Sequence, residues 1–496
     1  MNLSKAWKTI VGWWSKAWSR LRNMSFGKAP LPGTIDHVIV VMLENRSFDH
    51  MLGYLSLNGG APALAVEGLR SDQAWQDSYK NSVGASQYPI HRLAPGDADP
   101  DDPPHDKSSI NTQIHTAPAG PGPTQMGGFV QSFHDAHQDS SDPGFVMGHY
   151  DAAALPTYDF LSRNFCVCDH WFASVPLGTQ ANRLMAMSGE SKVVDNVHIM
   201  PDQPLVYDWL EARQVPWSVY VSGGYAPFFL MMSSWAPAIA ESLALGNGHF
   251  HRYGDFSRDW LSPNAYAAVT FIEPEYADAP MSHPNDDHPP TAPISRGQSF
   301  VSDIYNVVIS NPARWAKTLM IVTYDEHGGF FDHVPPMAVG TTIGTTMLTT
   351  TGVRVPALLI SPYVAQGQVF SEALDHTSIL QFLGDRFASD GQYSAKVSDR
   401  QQQFGRISNA LSKQPRTDAP PQPKPVLSHP LPAETPAAGV ALPSAPQTPN
   451  AAAIDAAARD MAKQHPEWMN APGWQQMKQY LDTNPPAEPL KQGRIN

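Results

Sequence analysis

Apolar residues along the chain fall into short runs separated by segments with helical spacing. The runs at residues 38–43, 217–221, 268–272, 318–324 and 355–360 read as buried strands. Helical periodicity marks residues 207–213, 300–309 and 377–387, and a further helix is predicted over 180–188. Strands alternating with helices predict an α/β fold with a mostly parallel central sheet flanked by helices.

The same patterning divides the chain. Residues 1–30 carry a stripe of Leu3, Trp7, Ile10, Val11, Trp14, Trp18 and Leu21 at helical spacing, with Lys5, Lys8, Lys16, Arg20 and Arg22 as cations and no acid before Asp36. Such a basic, Trp-rich amphipathic helix suits a membrane interface, or docking on the protein's own core or a sister subunit. Residues 33–412 form the expected main folded domain. Residues 413–450 are rich in Pro and Ala and read as an extended linker, and residues 451–496 resume helical patterning around Ile454, Met461, Trp468, Trp474 and Leu481. That last segment is expected to fold back as a lid or to swap onto a partner. No internal repeat is evident.

Composition narrows the function classes. Hydrophobic residues make up 42% and aromatics 10% of the 496 residues, enough for a sizeable core. A net charge of −13 argues against nucleic acid as a partner, so an anionic substrate must be drawn in locally, by a metal ion or helix N-termini. The two cysteines, Cys166 and Cys168, are too close in sequence for an unstrained bridge and read as buried thiols. No stretch reaches the length of a membrane-spanning helix, and the apolar run 10–14 is too short for a conventional signal peptide.

Chemistry is concentrated at the ends of the predicted strands. Glu44-Asn45 follows the first, Glu273 the third and Asp325-Glu326 the fourth. In open α/β sheets ligands bind beyond the carboxyl ends of strands, where acidic groups from separate strands converge and cage a cation. Four segments carry the rest: IDHVIVVMLENRSFDHMLGYL at 35–55, FASVPLGTQANRLMAMSG at 172–189, YDEHGGFFDHVPP at 324–336 and DHTSILQFL at 375–383. Together they closely resemble the bacterial phosphoesterase family of phospholipases C and a metal-dependent acid phosphatase, within the alkaline phosphatase superfamily. The resemblance spans about residues 35–387, with weaker echoes in PPHD at 103–106 and DHPP at 287–290.

The resemblance implies an alkaline-phosphatase-like core and a divalent metal, one or two ions, held by Glu44, Asn45, Thr179, Asp325 and Glu326. It puts Thr179 where the family has its nucleophile, at a helix start whose amides and dipole suit phosphate oxygens. Asn182, one turn along, is expected to add a side-chain donor. His105, His288 and His376 are expected around the phosphoryl group, as stabilisers of its oxygens or as acids for the leaving alkoxide. Glu273, His288 and His376 are a further candidate set for a second ion, and His249 and His251 a weaker pair. Oxygen ligands alone would accept calcium, magnesium or manganese; nearby imidazoles make zinc the first expectation.

The expected activity is that of a phospholipase C, cleaving phosphatidylcholine or a similar lipid to diacylglycerol and phosphorylated headgroup through a phospho-threonine intermediate. An acid phosphatase acting on monoesters is the alternative, and a non-catalytic membrane-binding or secreted interaction protein on the same fold is a third. The expected partners are a phospholipid or phosphate-ester substrate and, through the N-terminal helix, a membrane surface. Related enzymes are exported, which implies secretion or translocation here without a conventional signal peptide.

Overall fold

The run HVIVVML forms strand β1 (His37–Leu43), almost wholly buried at the centre of the main sheet. In a computed structural model the described residues are 35–416, 449–471 and 474–484, apart from 59–60, 95–100, 121, 198–199, 224–226, 265–266, 278–283 and 289–293. The amphipathic stripe of residues 1–30 and most of the Pro/Ala-rich stretch 413–450 lie outside the described residues. The other strands of this sheet are β2 (Cys166–Cys168), β3 (Trp217–Val221), β4 (Phe250–Arg252), β5 (Val269–Glu273), β6 (Thr318–Tyr324), β7 (Ala357–Ile360) and β8 (Gln368–Phe370). They lie in the order β8-β2-β7-β6-β1-β5-β3-β4. Only β7 is antiparallel to its neighbours β6 and β2; the remaining pairings are parallel.

This is the α/β architecture with a mostly parallel sheet that the alternation predicts. Strands buried on both faces read as continuous apolar runs, which is why β1, β3, β5 and β6 are visible in the sequence. Strands β2, β4 and β8 have three residues each, too short for a periodic signal. Cys166 and Cys168 are buried free thiols on β2.

The helices that matter for the site are α1 (Phe48–Leu52), α2 (Lys107–His115), α3 (Thr179–Ser188), α4 (Val206–Ala212), α5 (Ala236–Leu245), α6 (Ser295–Ile309) and α7 (Thr377–Phe387). Beyond the linker come α8 (Pro449–Gln464) and α9 (Gln475–Thr483). Ile454, Ala458, Met461, Trp474 and Tyr480 of this segment join the main apolar cluster, so it packs in cis on the body of the protein. Among the described residues no helix is long and apolar enough to cross a membrane.

Two FDH strings, at 48–50 and 331–333, meet across a buried arginine. Arg354 Nη2 lies 3.2 Å from Asp49 Oδ1 and 2.9 Å from Asp332 Oδ1, with its guanidinium 4.5 Å above the Phe48 ring. His333 Nδ1 bonds Asp49 Oδ2 at 2.6 Å, and the Asp49 amide donates to Asp332 Oδ2 at 3.1 Å. This pin ties the segment after β1 to the segment after β6. Arg354→Leu would leave two carboxylates buried without their cation, and is expected to lower unfolding free energy by about 3–5 kcal/mol, read by urea denaturation.

Candidate metal and phosphoryl-transfer site

The register of β1 against β6 builds the centre of the site. Leu43 is paired with Tyr324, so Glu44 and Asp325 leave adjacent strands side by side. The Asp325 amide donates to the Leu43 carbonyl at 3.2 Å, and the Asn45 amide donates to Asp325 Oδ1 at 3.1 Å. Strand β5 lies on the other side of β1 and ends in Glu273. All of these carboxylates are buried.

The backbone here takes conformations that only a tight junction requires. Asn45 has φ of 62°, the left-handed region in which Asn is among the less strained residues. Opposite it is Gly328, also left-handed at 62°, where a Cβ would stand 2.2 Å from the Asn45 carbonyl oxygen. The Gly328 amide in turn donates to Glu326 Oε2 at 2.8 Å. The glycine of the DEHGG string is thus what lets the two acidic loops touch.

Arg183 binds the carboxylates together. It lies one turn beyond Thr179 on α3, buried, and its Nε donates to Asp325 Oδ2 at 3.1 Å while Nη2 donates to Glu44 Oε1 at 3.1 Å and to the Leu43 carbonyl at 3.2 Å. Nη1 donates to Tyr276 Oη at 3.0 Å, and that hydroxyl donates to Glu273 Oε2 at 3.0 Å. The guanidinium lies 4.8 Å from the centres of both the Phe228 and Tyr276 rings.

Thr179 is the first residue of α3 and is 2% exposed. The helix is capped by Gly178, so the Thr179 hydroxyl is not the capping group. A Cβ on Gly178 would come 3.2 Å from the His105 carbonyl, so this glycine lets the loop before Thr179 lie against the PPHD segment. Asn182 differs from its expected part. Its Oδ1 accepts from the Val175 amide at 3.0 Å, and its Nδ2 donates to the carbonyls of Val175, Leu177 and Gly178 at 3.1, 2.6 and 3.3 Å. Its amide is therefore turned back on the loop and shapes the approach to Thr179 instead of facing a phosphate.

The three histidines divide in the same way. His288 Nε2 lies 2.9 Å from Asp102 Oδ2 and its Nδ1 3.5 Å from Glu44 Oε2. His105 Nε2 lies 4.0 Å from Glu326 Oε1, with its Nδ1 donating to the Pro103 carbonyl at 2.7 Å. Both imidazoles converge on Asn45: with its amide nitrogen facing Glu326 Oε1 at 2.5 Å, its oxygen accepts from His288 Nε2 at 3.1 Å, and the same corner is 3.4 Å from His105 Nε2. His376, in contrast, is fully buried with both ring nitrogens engaged. Its Nε2 donates to the Asp325 carbonyl at 2.6 Å and its Nδ1 accepts from the Trp171 indole at 3.2 Å. Burial pushes its pKa down to about 4, so it is a neutral strut beneath Asp325 and not an acid.

The second-ion set is rearranged accordingly. Glu273 accepts from the Phe228 amide at 2.7 Å and from Tyr276, and His376 is spent on Asp325, so these two do not join His288. Among the described residues two groups have ligand atoms within 4.8 Å of one another: Glu44, Asp286 and His288 here, and Asp49, Asp332 and His333 at the Arg354 pin. Asp286 was beyond the reach of sequence reasoning, although it immediately precedes the DHPP echo. His249 pairs with Glu211 at 2.9 Å and stacks on Trp217, the first residue of β3, at the opposite end of the sheet from Glu44.

Glu44, Asp286 and His288 could hold a divalent cation, with the carboxylates of Asp325 and Glu326 close by. Glu44, Asp325, Glu326 and Asp286 supply buried oxygens, and His288 Nδ1 is buried without a well-formed hydrogen bond. Burial pushes the Asp325 carboxyl up to about 7, with Glu44 and Glu326 adding to the rise against Arg183. Burial and then Glu44 hold Asp286 well above the usual range. Despite its burial, His288 is held well above its ordinary value by Asp102 and Glu44. Protons stand in these groups where a cation would relieve the same crowding.

A family model described as the Phosphoesterase family matches residues 35–388. The chain belongs to that family. "Non-specific phospholipase C6" of Arabidopsis thaliana is 30% identical over 364 residues, covering 70% of this chain and 65% of the relative. "Phospholipase C A" of Mycobacterium tuberculosis is 28% identical over 459 residues, covering 82% and 83%. The chain spans less than two thirds of the length of the first plant relatives it matches. Among solved structures, a protein in the alkaline phosphatase superfamily from Vibrio parahaemolyticus has a TM-score of 0.31 and 12% identity, covering 49% of this chain and 64% of that one.

A carboxyl with a raised pKa binds more protons in the folded than in the unfolded chain, so metal-free protein should lose stability as pH rises from the ordinary carboxylate range through about 7. A divalent ion removes that penalty by displacing the protons. The gain in Tm on adding Zn²⁺ to chelator-treated protein is therefore expected to be larger at about pH 8 than at about pH 5, read by thermal unfolding.

Proposed function

We propose that this phosphoesterase-family chain is a metal-dependent phospholipase C that cleaves a phospholipid on the glycerol side of phosphorus. The observation that carries the reading is Thr179 at the first position of α3, its hydroxyl not spent on capping, with Arg183 of the same helix bonded to Glu44 and Asp325. The names of the plant and mycobacterial relatives support the lipid substrate.

In this reading Glu44, Asn45, Thr179, Asp325 and Glu326 hold a divalent cation, with His288 and Asp286 next to them. When bound, the cation lowers the pKa of the Thr179 hydroxyl and neutralises charge on the phosphoryl oxygens. Zinc is the proposed ion, because the set mixes carboxylate oxygens with an imidazole nitrogen. Thr179 Oγ1 attacks phosphorus in line, the bond from phosphorus to the glycerol oxygen breaks, and a phospho-threonine forms. In the first turn of α3 the Gln180 amide is spent on Asn196 Oδ1, so in this reading those of Thr179 and Ala181 face the phosphoryl oxygens. His105, raised above its ordinary pKa by Glu326 and Asp102 despite burial, carries a proton suited to the departing alkoxide. His288 is its counterpart beside Glu44 and Asp102. Water then hydrolyses the phospho-threonine with the same imidazoles in reversed roles, leaving diacylglycerol, phosphorylated headgroup and free Thr179. The basic N-terminal stripe would bring the enzyme to the bilayer.

The test compares phosphatidylcholine vesicles with a simple aryl phosphate. Thr179→Ala is expected to lower kcat on the lipid by at least about a thousandfold, and chelation to abolish turnover until Zn²⁺ is restored. Hydrolysis of the aryl phosphate alone would instead identify a phosphomonoesterase. Unchanged lipid turnover in Thr179→Ala or after chelation would overturn the mechanism.

A further inference from the structure

The segment beyond the linker lies outside residues 35–388, the part of the chain matched by the family, yet it touches the site's supports at two points. The first is Gln180, the residue next to Thr179. Gln180 is fully buried, and its Nε2 donates to Asn450 Oδ1 at 2.7 Å and to the Val197 carbonyl at 2.8 Å. Its Oε1 accepts from the Val197 amide at 2.9 Å, and its own amide donates to Asn196 Oδ1 at 3.1 Å. Asn450 is itself buried and is the second residue of α8. A side-chain amide from the C-terminal segment thus completes the hydrogen bonding of the first turn of α3.

The second point is the short helical turn Phe228–Met231, against which α8 packs. The Phe228 amide holds Glu273, and the Phe228 ring lies against the guanidinium of Arg183, which ties Glu44 to Asp325. The segment is anchored from the other side by Trp474, whose indole donates to the Ala240 carbonyl of α5 at 3.1 Å. Both points lie on elements that orient site residues. Neither requires the segment to cover the site as a lid.

We infer that the C-terminal segment is a positioning element of the active site, with Asn450 setting the placement of Thr179 through Gln180. Its kinetic reading rests on Thr179 being the nucleophile; its structural reading does not. Asn450→Ala removes the acceptor of Gln180, whereas Asn450→Asp keeps one at the same place. In full-length protein, Asn450→Ala is expected to lower kcat about tenfold with little change in KM or bound metal, and Asn450→Asp to restore most of it. Hydrogen exchange supplies a readout independent of activity: amides of residues 177–182 should exchange faster in Asn450→Ala while those of β6 keep their protection. Should Asn450→Ala yield no folded protein, Asn450→Ser, which is too short to reach Gln180, is read in the same way. If these variants lower Tm but leave kcat and the exchange of residues 177–182 at wild-type values, the segment is a structural appendage and the inference fails. If wild-type protein turns over no phosphate ester, only the phosphoesterase reading fails, and the exchange experiment still decides this one.

Discussion

The structure depends on keeping several carboxylates buried side by side at the end of two adjacent strands. Removing a carboxylate from water is costly, and placing a second one next to it adds repulsion. Three things offset that cost. Arg183 spans Glu44 and Asp325, backbone amides of Asn45 and Gly328 donate to Asp325 and Glu326, and part of the cluster keeps its protons. Each is incomplete, and a cation in this cluster would relieve the charge crowding that they leave. A protein with a net charge of −13 has no long-range attraction for a phosphate ester, so the local field of such a centre must supply it.

The two buried arginines show the difference between structure and function in the same few motifs. Around Arg354 the charges close: Asp49 and Asp332 both accept from the guanidinium, and His333 bonds Asp49. Around Arg183 they do not, because the guanidinium is paired with both Glu44 and Asp325 while Glu326 adds a third carboxylate beside them. The first cluster pins the loops following β1 and β6 together. The second uses the rigidity so obtained to hold ligand atoms in place.

Support for the site comes from far along the chain. His376 fixes the Asp325 carbonyl from α7, Asn182 shapes the loop before Thr179, and Phe228 bears on both Glu273 and Arg183. Residues that look catalytic by type, His376 and Asn182, are here consumed in holding others still. Catalysis by positioning requires such supports, since small displacements of a nucleophile are expensive in rate.

What the sequence alone determined follows from local periodicity and unusual strings. The central strands were legible as continuous apolar runs, and ENRS, DEHGG and the Thr179 segment carried the family and the core of the candidate site. Short strands such as β4 and β8 were not, because three residues have no period to read. Tertiary structure alone decided which polar groups face the centre. Asp286 stands beside Glu44 although more than two hundred residues separate them, and Arg183 reaches both strand ends only because α3 is docked over them. It also decided that His376 and Asn182 turn away from the expected phosphate position, and that Asn450 of the C-terminal segment meets Gln180. A side chain's type is written in the sequence; the direction it points is set by partners that only folding brings within reach.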